Sequence, residues 1–162
     1  MKARPALRVL AVCMGNICRS PTAAGVLRER LSRAGLAQRV AVDSAGTHAD
    51  WHAGEQADAR ARKHALARGY DLSKHRARIV VDEDFERYDL ILAMDWDNIA
   101  ALEARCPPEQ RGKLRRLSEF GRVHASEVVP DPYYAGPAAF DHVLDLVEDA
   151  CDGVVEHLRQ RL

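Results

Sequence analysis

The chain has 162 residues, enough for one domain to bury a hydrophobic core without disulfides or a metal ion. Acidic and basic residues balance at 24 each, so no excess of charge points to a nucleic-acid or membrane-surface partner. No apolar stretch approaches the roughly 20 residues of a membrane span, and the N-terminus lacks a secretion signal. We therefore expect a cytoplasmic protein whose four cysteines are thiols and not disulfides.

The first predicted elements are a strand, a loop, a helix and a second strand. Residues 7–12 are rich in β-formers and predict a buried strand. Ser20 and Pro21 are typical N-cap and first-turn residues, so we predict a helix that begins there and ends at Gly35. Residues 39–46 then have the composition of a second strand.

Strands and helices continue to alternate along the rest of the chain. The further predicted elements are a helix over 58–68, a strand over 88–94, a helix capped by Asp95, a strand over 113–117 and a helix over 138–162. This alternation predicts an α/β fold with a small four-stranded parallel sheet flanked by helices on both faces. We find no repeats or linkers and expect residues 1–162 to form a single domain.

The segment VCMGNICRSPT combines the features of a phosphate-binding loop after the first strand. Cys13 ends that strand at the carboxyl edge of the sheet, and the positive end of the next helix points at the loop. The N–H groups of residues 14–19 can form a nest for an oxyanion, with Gly15 and Asn16 best able to take a positive φ. The positive electrostatic field of the helix N-terminus and the loop N–H groups also favours the reactive thiolate of Cys13. Arg19 offers a planar guanidinium that can bind two phosphate oxygens at once.

The string VCMGNICRSPTAAGVL resembles the signature of the low-molecular-weight protein tyrosine phosphatases, V-C-x-G-N-x-C-R-S-P. Four later segments resemble the later blocks of that family in the same order, and they extend over nearly the whole chain: DSAGTHADWHAG (43–54), SKHRAR (73–78), DLILAMDWDN (89–98) and VPDPYY (129–134). The resemblance implies a phosphatase that acts on phosphotyrosine in proteins, without metal or cofactor, through a cysteinyl-phosphate intermediate.

The resemblance also implies roles for the residues of the loop. Cys13 is the expected nucleophile, and Arg19 is expected to bind the phosphate and stabilise the charge of its oxygens as the phosphoryl group transfers. The remaining phosphate-binding positions are Met14, Gly15, Asn16, Ile17, Cys18 and Ser20. Ser20 corresponds to the serine that hydrogen-bonds the cysteine sulfur and helps it to leave in the second step.

A tyrosyl leaving group needs a proton, because a phenol with a pKa near 10 leaves poorly as an anion. Asp131 is the candidate general acid. It lies between two prolines, and Pro132 holds it in an extended conformation from which a loop can aim its carboxyl group. The match of the DPYY string to the family supports this role, and a bell-shaped pH profile is expected from the ionised nucleophile and the protonated acid.

Further positions match residues that support the site or form its rim. Asn16, Ser44 and His75 are expected to hold the phosphate loop in its conformation. Cys18 is expected to trap oxidised Cys13 as a reversible disulfide. The expected aromatic rim around the substrate ring consists of Trp51, Tyr133 and Tyr134, although an extended segment cannot direct two adjacent tyrosines to one face.

Three alternatives compete with the phosphatase interpretation. An arsenate reductase of the same fold uses further cysteines near the third strand, and residues 77–94 contain none. A phosphotyrosine-binding module has no need of Cys13, Arg19 and Asp131 together. A nucleotide-binding P-loop is excluded because no G-x4-G-K-[ST] string is present.

Partners follow from the implied activity and from the composition. Arginine far outnumbers lysine and alanine is abundant, which points to a GC-rich bacterial genome and to a bacterial tyrosine kinase as a candidate substrate. We expect a monomer or a weak dimer that binds neither nucleic acid nor membranes. His48 and His52 have a spacing that could suit zinc on a helix, but they lie in a glycine-containing loop, so we assign no metal.

Overall fold

The computed structural model describes residues 4–162 as a four-stranded parallel sheet with helices against it. The strands are β1 (Leu7–Cys13), β2 (Val40–Gly46), β3 (Leu90–Ala93) and β4 (Leu114–Arg116), in the order β2-β1-β3-β4. The helices are α1 (Arg19–Arg33), α2 (Ala59–Ala67), α3 (Asp84–Arg87), α4 (Trp96–Arg105) and α5 (Pro137–Arg159). The predicted sheet is confirmed, whereas α3 and three 3-10 turns at Asp50–His52, Pro108–Lys113 and Leu117–Phe120 were not predicted.

Strand β1 lies between β2 and β3 and is apolar on both sides, as a central parallel strand must be. Val9 and Ala11 face one side of the sheet, and Leu10 and Val12 face the other. The strand ends at Cys13, which pairs in register with Gly46 at the end of β2. The carboxyl ends of β1 and β2 therefore meet at one edge, where the loop that follows Cys13 begins.

Helices cover both faces of the sheet, as predicted. On one face α1 and α5 bury a layer that includes Leu27 and Val147. On the other face α3 contributes Phe85 and α4 contributes Leu102. Each of these apolar side chains stabilises the fold by about 1.5–3 kcal/mol through its removal from water.

The N-cap residue was predicted correctly for α4 but not for α1. Asp95 is the N-cap of α4, since its Oδ1 accepts from the backbone N–H of Asn98 at 2.8 Å. Helix α1 begins at Arg19 with Cys18 as its N-cap, so the prediction of Ser20 as the cap is wrong. The Ser20 hydroxyl contacts the side chains of Cys13 and Asn16 instead.

Within residues 4–162, none of the helices combines the length and the apolar character that a bilayer crossing requires.

Candidate active site

A cleft of about 150 Å³ opens at the carboxyl edge of the sheet, beside the end of β1. It brings together Cys13, Arg19 and Asp131, which are separated by up to 118 residues in the sequence. Its other lining residues are Met14, Gly15, Ile17, Cys18, His52, Tyr133 and Tyr134. The predicted nucleophile, phosphate ligand and acid therefore share one cavity.

The sulfur of Cys13 is held at the base of this cleft by a serine. Cys13 Sγ lies 3.0 Å from Ser20 Oγ, and that oxygen accepts a hydrogen bond from Asn16 Nδ2 at 2.8 Å. Because the serine oxygen already accepts from the amide, its own proton is free to point at the sulfur. This arrangement places a hydrogen-bond donor against the sulfur of Cys13.

Asn16 fixes the shape of the loop between β1 and α1. It has a φ of 56°, the left-handed conformation that asparagine tolerates better than most residues, as predicted. The side chain is fully buried and its Nδ2 also donates to Ser44 Oγ at 3.0 Å, while its Oδ1 accepts from the backbone N–H of Arg78 at 2.9 Å. Every polar atom of this amide is thus used to hold the loop.

His75 supports the same loop from outside. Its Nε2 lies 2.6 Å from the backbone oxygen of Asn16, so this nitrogen carries the proton and donates to the carbonyl. Burial lowers the pKa of His75, an effect that outweighs the hydrogen bond to Asn16 and the nearby charge of Asp43. Asn16, Ser44 and His75 are therefore brought together around the loop.

Arg19 is almost completely buried, with 4% of its side chain exposed, yet it lines the cleft. Its Nη1 donates to Asp95 Oδ2 at 2.6 Å and to the backbone oxygen of Val129 at 2.9 Å. Burial opposes the charge of Arg19, but the hydrogen bond to Asp95 and the charges of Cys13, Asp95 and Asp131 raise its pKa. The guanidinium is therefore a fixed positive charge beside the cavity.

Asp131 faces this guanidinium from the segment before α5. Its Oδ2 lies 3.9 Å from Arg19 Nη2, and its Oδ1 accepts from the backbone N–H of Tyr133 at 3.0 Å. The Asp131 side chain is 41% exposed, so solvent and substrate can both reach it. Tyr133 and Tyr134 form a turn with ring centroids 4.9 Å apart, and both line the cleft. Because the segment is not extended there, the restriction on adjacent side chains of an extended segment does not apply to them.

Known proteins resemble the chain over nearly its whole length. The sequence model described as "Low molecular weight phosphotyrosine protein phosphatase" matches residues 8–162. The chain belongs to this family. The phosphatase is 41% identical to a low molecular weight protein-tyrosine-phosphatase of Streptomyces coelicolor over 158 residues, which covers 96% of this chain and 95% of that protein.

Several solved structures resemble the phosphatase in fold. One is the protein tyrosine phosphatase of Entamoeba histolytica with Hepes in its active site, with a TM-score of 0.92, 40% identity and coverage of 95% of this chain and 97% of that chain. Another is Wzb of Vibrio vulnificus in complex with benzylphosphonate, with a TM-score of 0.81, 32% identity and coverage of 94% and 99%. The phosphatase is thus a hydrolase with the fold that the resemblance implied.

The phosphatase departs from two expectations at the mouth of its cleft. Trp51 is 89% exposed and is not among the cleft-lining residues, whereas its neighbour His52 is. Gly15 does not have the positive φ that was predicted for it. Its lack of a side chain matters for another reason, because a Cβ at Gly15 would lie 3.1 Å from Cδ2 of His52.

Cys18 lines the cleft of the phosphatase but differs from Cys13 in its surroundings. It packs against Ala61 and Phe140. Burial, together with the negative charges of Cys13, Asp58 and Asp131, raises its pKa far above the ordinary value for a thiol. All four cysteines are free, and within residues 4–162 no group of three or more His, Cys, Asp or Glu side chains is placed to hold a metal ion.

Two residues of the site were not identified from the sequence. Asp95 was predicted only as a helix cap, but its second oxygen anchors Arg19. Its position two residues after the end of β3, at the same sheet edge as Cys13, is a signal that could have revealed this role. His52 carried no such signal, since it reaches the cleft through the 3-10 turn at Asp50–His52.

Proposed function

We propose that this phosphatase hydrolyses phosphotyrosine in proteins in two steps, with a cysteinyl-phosphate on Cys13 between them. The observation that supports this most directly is the shared cleft, in which the sulfur, the guanidinium of Arg19 and the carboxyl group of Asp131 surround one cavity. Its volume of about 150 Å³ suits a phosphoryl group and part of an aromatic ring.

In the first step the thiolate of Cys13 attacks the phosphorus. The S–P bond forms while the bond between phosphorus and the tyrosyl oxygen breaks, and protonated Asp131 gives its proton to that oxygen. Arg19 and the loop N–H groups of residues 14–20 stabilise the charge on the three non-transferring oxygens. The products of this step are free tyrosine on the protein and a phosphorylated cysteine.

In the second step water attacks the phosphorus of this intermediate. The carboxylate of Asp131 accepts a proton from the water as the new P–O bond forms and the S–P bond breaks. The Ser20 hydroxyl, 3.0 Å from the sulfur, stabilises the thiolate that leaves. Inorganic phosphate is released and Cys13 and Asp131 return to their starting forms.

Exchange of the nucleophile tests the proposal. Cys13→Ser should abolish turnover of p-nitrophenyl phosphate while phosphate or vanadate still binds, because the loop and Arg19 are unchanged. The matched control is Cys106→Ser, since Cys106 is also buried but belongs to the core on the other face of the sheet. Normal turnover by Cys13→Ser would refute the assignment, as would loss of wild-type activity in EDTA, because no step uses a metal.

Removal of the acid tests the role of Asp131. Asp131→Ala should lower kcat/KM for phosphotyrosine by about 10² to 10⁴, the usual contribution of a general acid. Esters of better leaving groups, such as p-nitrophenyl phosphate, should lose less because they depart without a proton. Equal losses for both substrates would exclude Asp131 as the acid.

The rim determines the preference for a ring-bearing substrate. Tyr133 and Tyr134 line the cleft and can flank an aromatic ring, and Trp51 is a rim candidate that would have to move toward it. A phosphoserine is too short to contact the tyrosines from the base of the cleft. The ratio of kcat/KM for phosphotyrosine and phosphoserine peptides should therefore fall in Tyr133→Ala.

The role of Cys18 follows from its neighbourhood. If a hydroperoxide converts Cys13 to the sulfenic acid, the Cys18 thiol attacks that sulfur, water leaves and a disulfide forms. The Cys18→Ser variant should then lose activity irreversibly in peroxide, whereas the wild type recovers with dithiothreitol. Recovery of both to the same extent would contradict this role.

The expected protein substrate is a bacterial tyrosine kinase. A pull-down with Asp131→Ala, which binds substrates but turns them over slowly, should enrich phosphotyrosine peptides of such a kinase. Free phosphotyrosine should compete with that capture. Sedimentation of the purified phosphatase should give a monomer or a weak dimer.

A further inference from the structure

Arg60, on the first turn of α2, contacts the segment that carries the general acid. Its Nη1 donates to the backbone oxygen of Tyr133 at 2.9 Å. Its guanidinium carbon lies 5.2 Å from the centroid of the Tyr133 ring and 4.8 Å from that of Phe140. Neither the sequence motifs nor the cleft lining identifies this arginine.

Tyr133 connects Arg60 to the carboxyl group of the acid. The backbone N–H of Tyr133 donates to Asp131 Oδ1, while its carbonyl accepts from Arg60. The peptide planes on the two sides of Tyr133 are therefore each held by one of these contacts. A shift of Tyr133 would move the hydrogen-bond donor that orients the Asp131 carboxyl group.

The acid segment has little regular structure of its own. Residues 121–136, between the 3-10 turn Leu117–Phe120 and α5, contain no helix or strand. Before the acid, Val129 is fixed through its N–H to the oxygen of Met94 at 2.7 Å and through its carbonyl to Arg19. After the acid, Arg60 supplies the corresponding anchor, so Asp131 lies between two fixed points.

Arg60 is itself tied to the phosphate loop. Its Nη2 and Nε donate to the two oxygens of Asp58 at 3.1 and 3.2 Å. Asp58 is the N-cap of α2, and its backbone N–H donates to the oxygen of Ile17 at 2.7 Å. The hydrogen bonds therefore run without a gap from the phosphate loop through Asp58 and Arg60 to Tyr133 and Asp131.

We propose that Arg60 is a positioning residue that aligns the general acid with the phosphate loop. The proposal rests on the proposed function, in which Asp131 is the acid. Arg60 does not touch the substrate; it acts through Tyr133. The planar fork of arginine is required because one guanidinium must reach both Asp58 and the Tyr133 carbonyl, which a single ammonium cannot reproduce.

The test compares Arg60→Met and Arg60→Lys with a control on the same helix, Arg62→Met. The Arg62 guanidinium donates to the oxygen of Ala57 and does not reach the acid segment. Each variant is assayed for kcat/KM with phenyl phosphate, whose leaving group needs a proton, and with p-nitrophenyl phosphate, whose leaving group needs it less. These values report on the step in which the acid acts.

We expect Arg60→Met to lower kcat/KM for phenyl phosphate about tenfold, because a misaligned acid loses much of its contribution. The p-nitrophenyl phosphate value should fall less than about twofold, and inhibition by inorganic phosphate should not change. Arg60→Lys should recover part of the loss, and Arg62→Met should match the wild type. In an Asp131→Ala background, Arg60→Met should cause no further loss.

Equal losses with both substrates, or an additional loss in the Asp131→Ala background, would overturn the positioning role and leave only a structural one. Failure of the underlying assignment has a different signature, because Asp131→Ala alone would then lose both substrates equally. If Arg60→Met does not fold, the leaving-group ratio of Arg60→Lys decides the question, since a wild-type ratio in that variant also overturns the proposal.

Discussion

Replacement of Asn16 should reveal how strongly the loop between β1 and α1 depends on one buried amide. The side chain makes three hydrogen bonds, to Ser20, to Ser44 and from the backbone N–H of Arg78. Asn16→Ala removes all three and leaves a β-carbon in the left-handed conformation at φ 56°. Asn16→Gly removes the same hydrogen bonds but tolerates that conformation.

The magnitude follows from these contacts. Each lost buried hydrogen bond costs about 1 kcal/mol, and more where a partner such as the Arg78 N–H is left unpaired. The left-handed conformation adds about 1 kcal/mol for alanine. Asn16→Ala should therefore lower the free energy of unfolding by about 4 kcal/mol, a large share of the roughly 5–15 kcal/mol of a typical domain.

Urea unfolding measures this loss, with Asn16→Gly and Ser44→Ala as matched variants. Asn16→Gly should be about 1 kcal/mol more stable than Asn16→Ala, and Ser44→Ala should cost only about 1 kcal/mol, because it removes one hydrogen bond. If Asn16→Ala costs less than Ser44→Ala, the Asn16 amide does not hold the loop, and the reasoning from its three hydrogen bonds is refuted.

Other predictions concern groups around the site and the core. Burial lowers the pKa of His75, so its contribution to stability is complete above about pH 6.5 and is lost as the pH falls through the lowered pKa. The free energies of unfolding of the wild type and His75→Gln, measured with urea, should therefore converge at low pH, and a constant difference between them would contradict this. Because burial raises the pKa of Cys18, peptide mapping after iodoacetamide treatment at neutral pH should find Cys18 unmodified, and ready alkylation would argue against its protonated state. Gly153→Ala places a Cβ well inside the van der Waals distance from the Phe120 carbonyl oxygen and should lower the free energy of unfolding by about 1–3 kcal/mol, as measured by thermal or urea unfolding. Gly112→Ala, in open space, should change it little, and equal effects of the two substitutions would be inconsistent with close packing at Gly153.

The sequence predicted those features that depend on neighbours along the chain. β1, the loop after it and the long amphipathic α5 each have a local pattern, and each is observed within a few residues of its predicted bounds. The short helix α3 has only four residues, too few for any periodicity to show. The start of α1 was misplaced because Ser20, a good capping residue, bonds to Cys13 in preference to the helix N-terminus.

Site residues that lie in sequence motifs could be predicted, whereas residues that only the tertiary structure brings to the site could not. Cys13, Arg19 and Asp131 lie in strings that the resemblance covers, and they meet in one cleft. The contacts of Arg60 with Tyr133 join positions 73 residues apart, and no spacing rule predicts them. The contact of the second Asp95 oxygen with Arg19 was likewise not predicted, because the helix-capping pattern explains only the oxygen that accepts from the N–H of Asn98.

The double anchorage of Arg19 Nη1 has a further effect on ligand capture. An arginine that is free in solution loses about 1.5–2 kcal/mol of rotamer freedom when a bound anion immobilises it. In this molecule Asp95 and the Val129 carbonyl restrain the side chain before any anion arrives. This rotamer entropy is therefore lost when the protein folds, and an anion that enters the cleft meets a guanidinium that is already immobile.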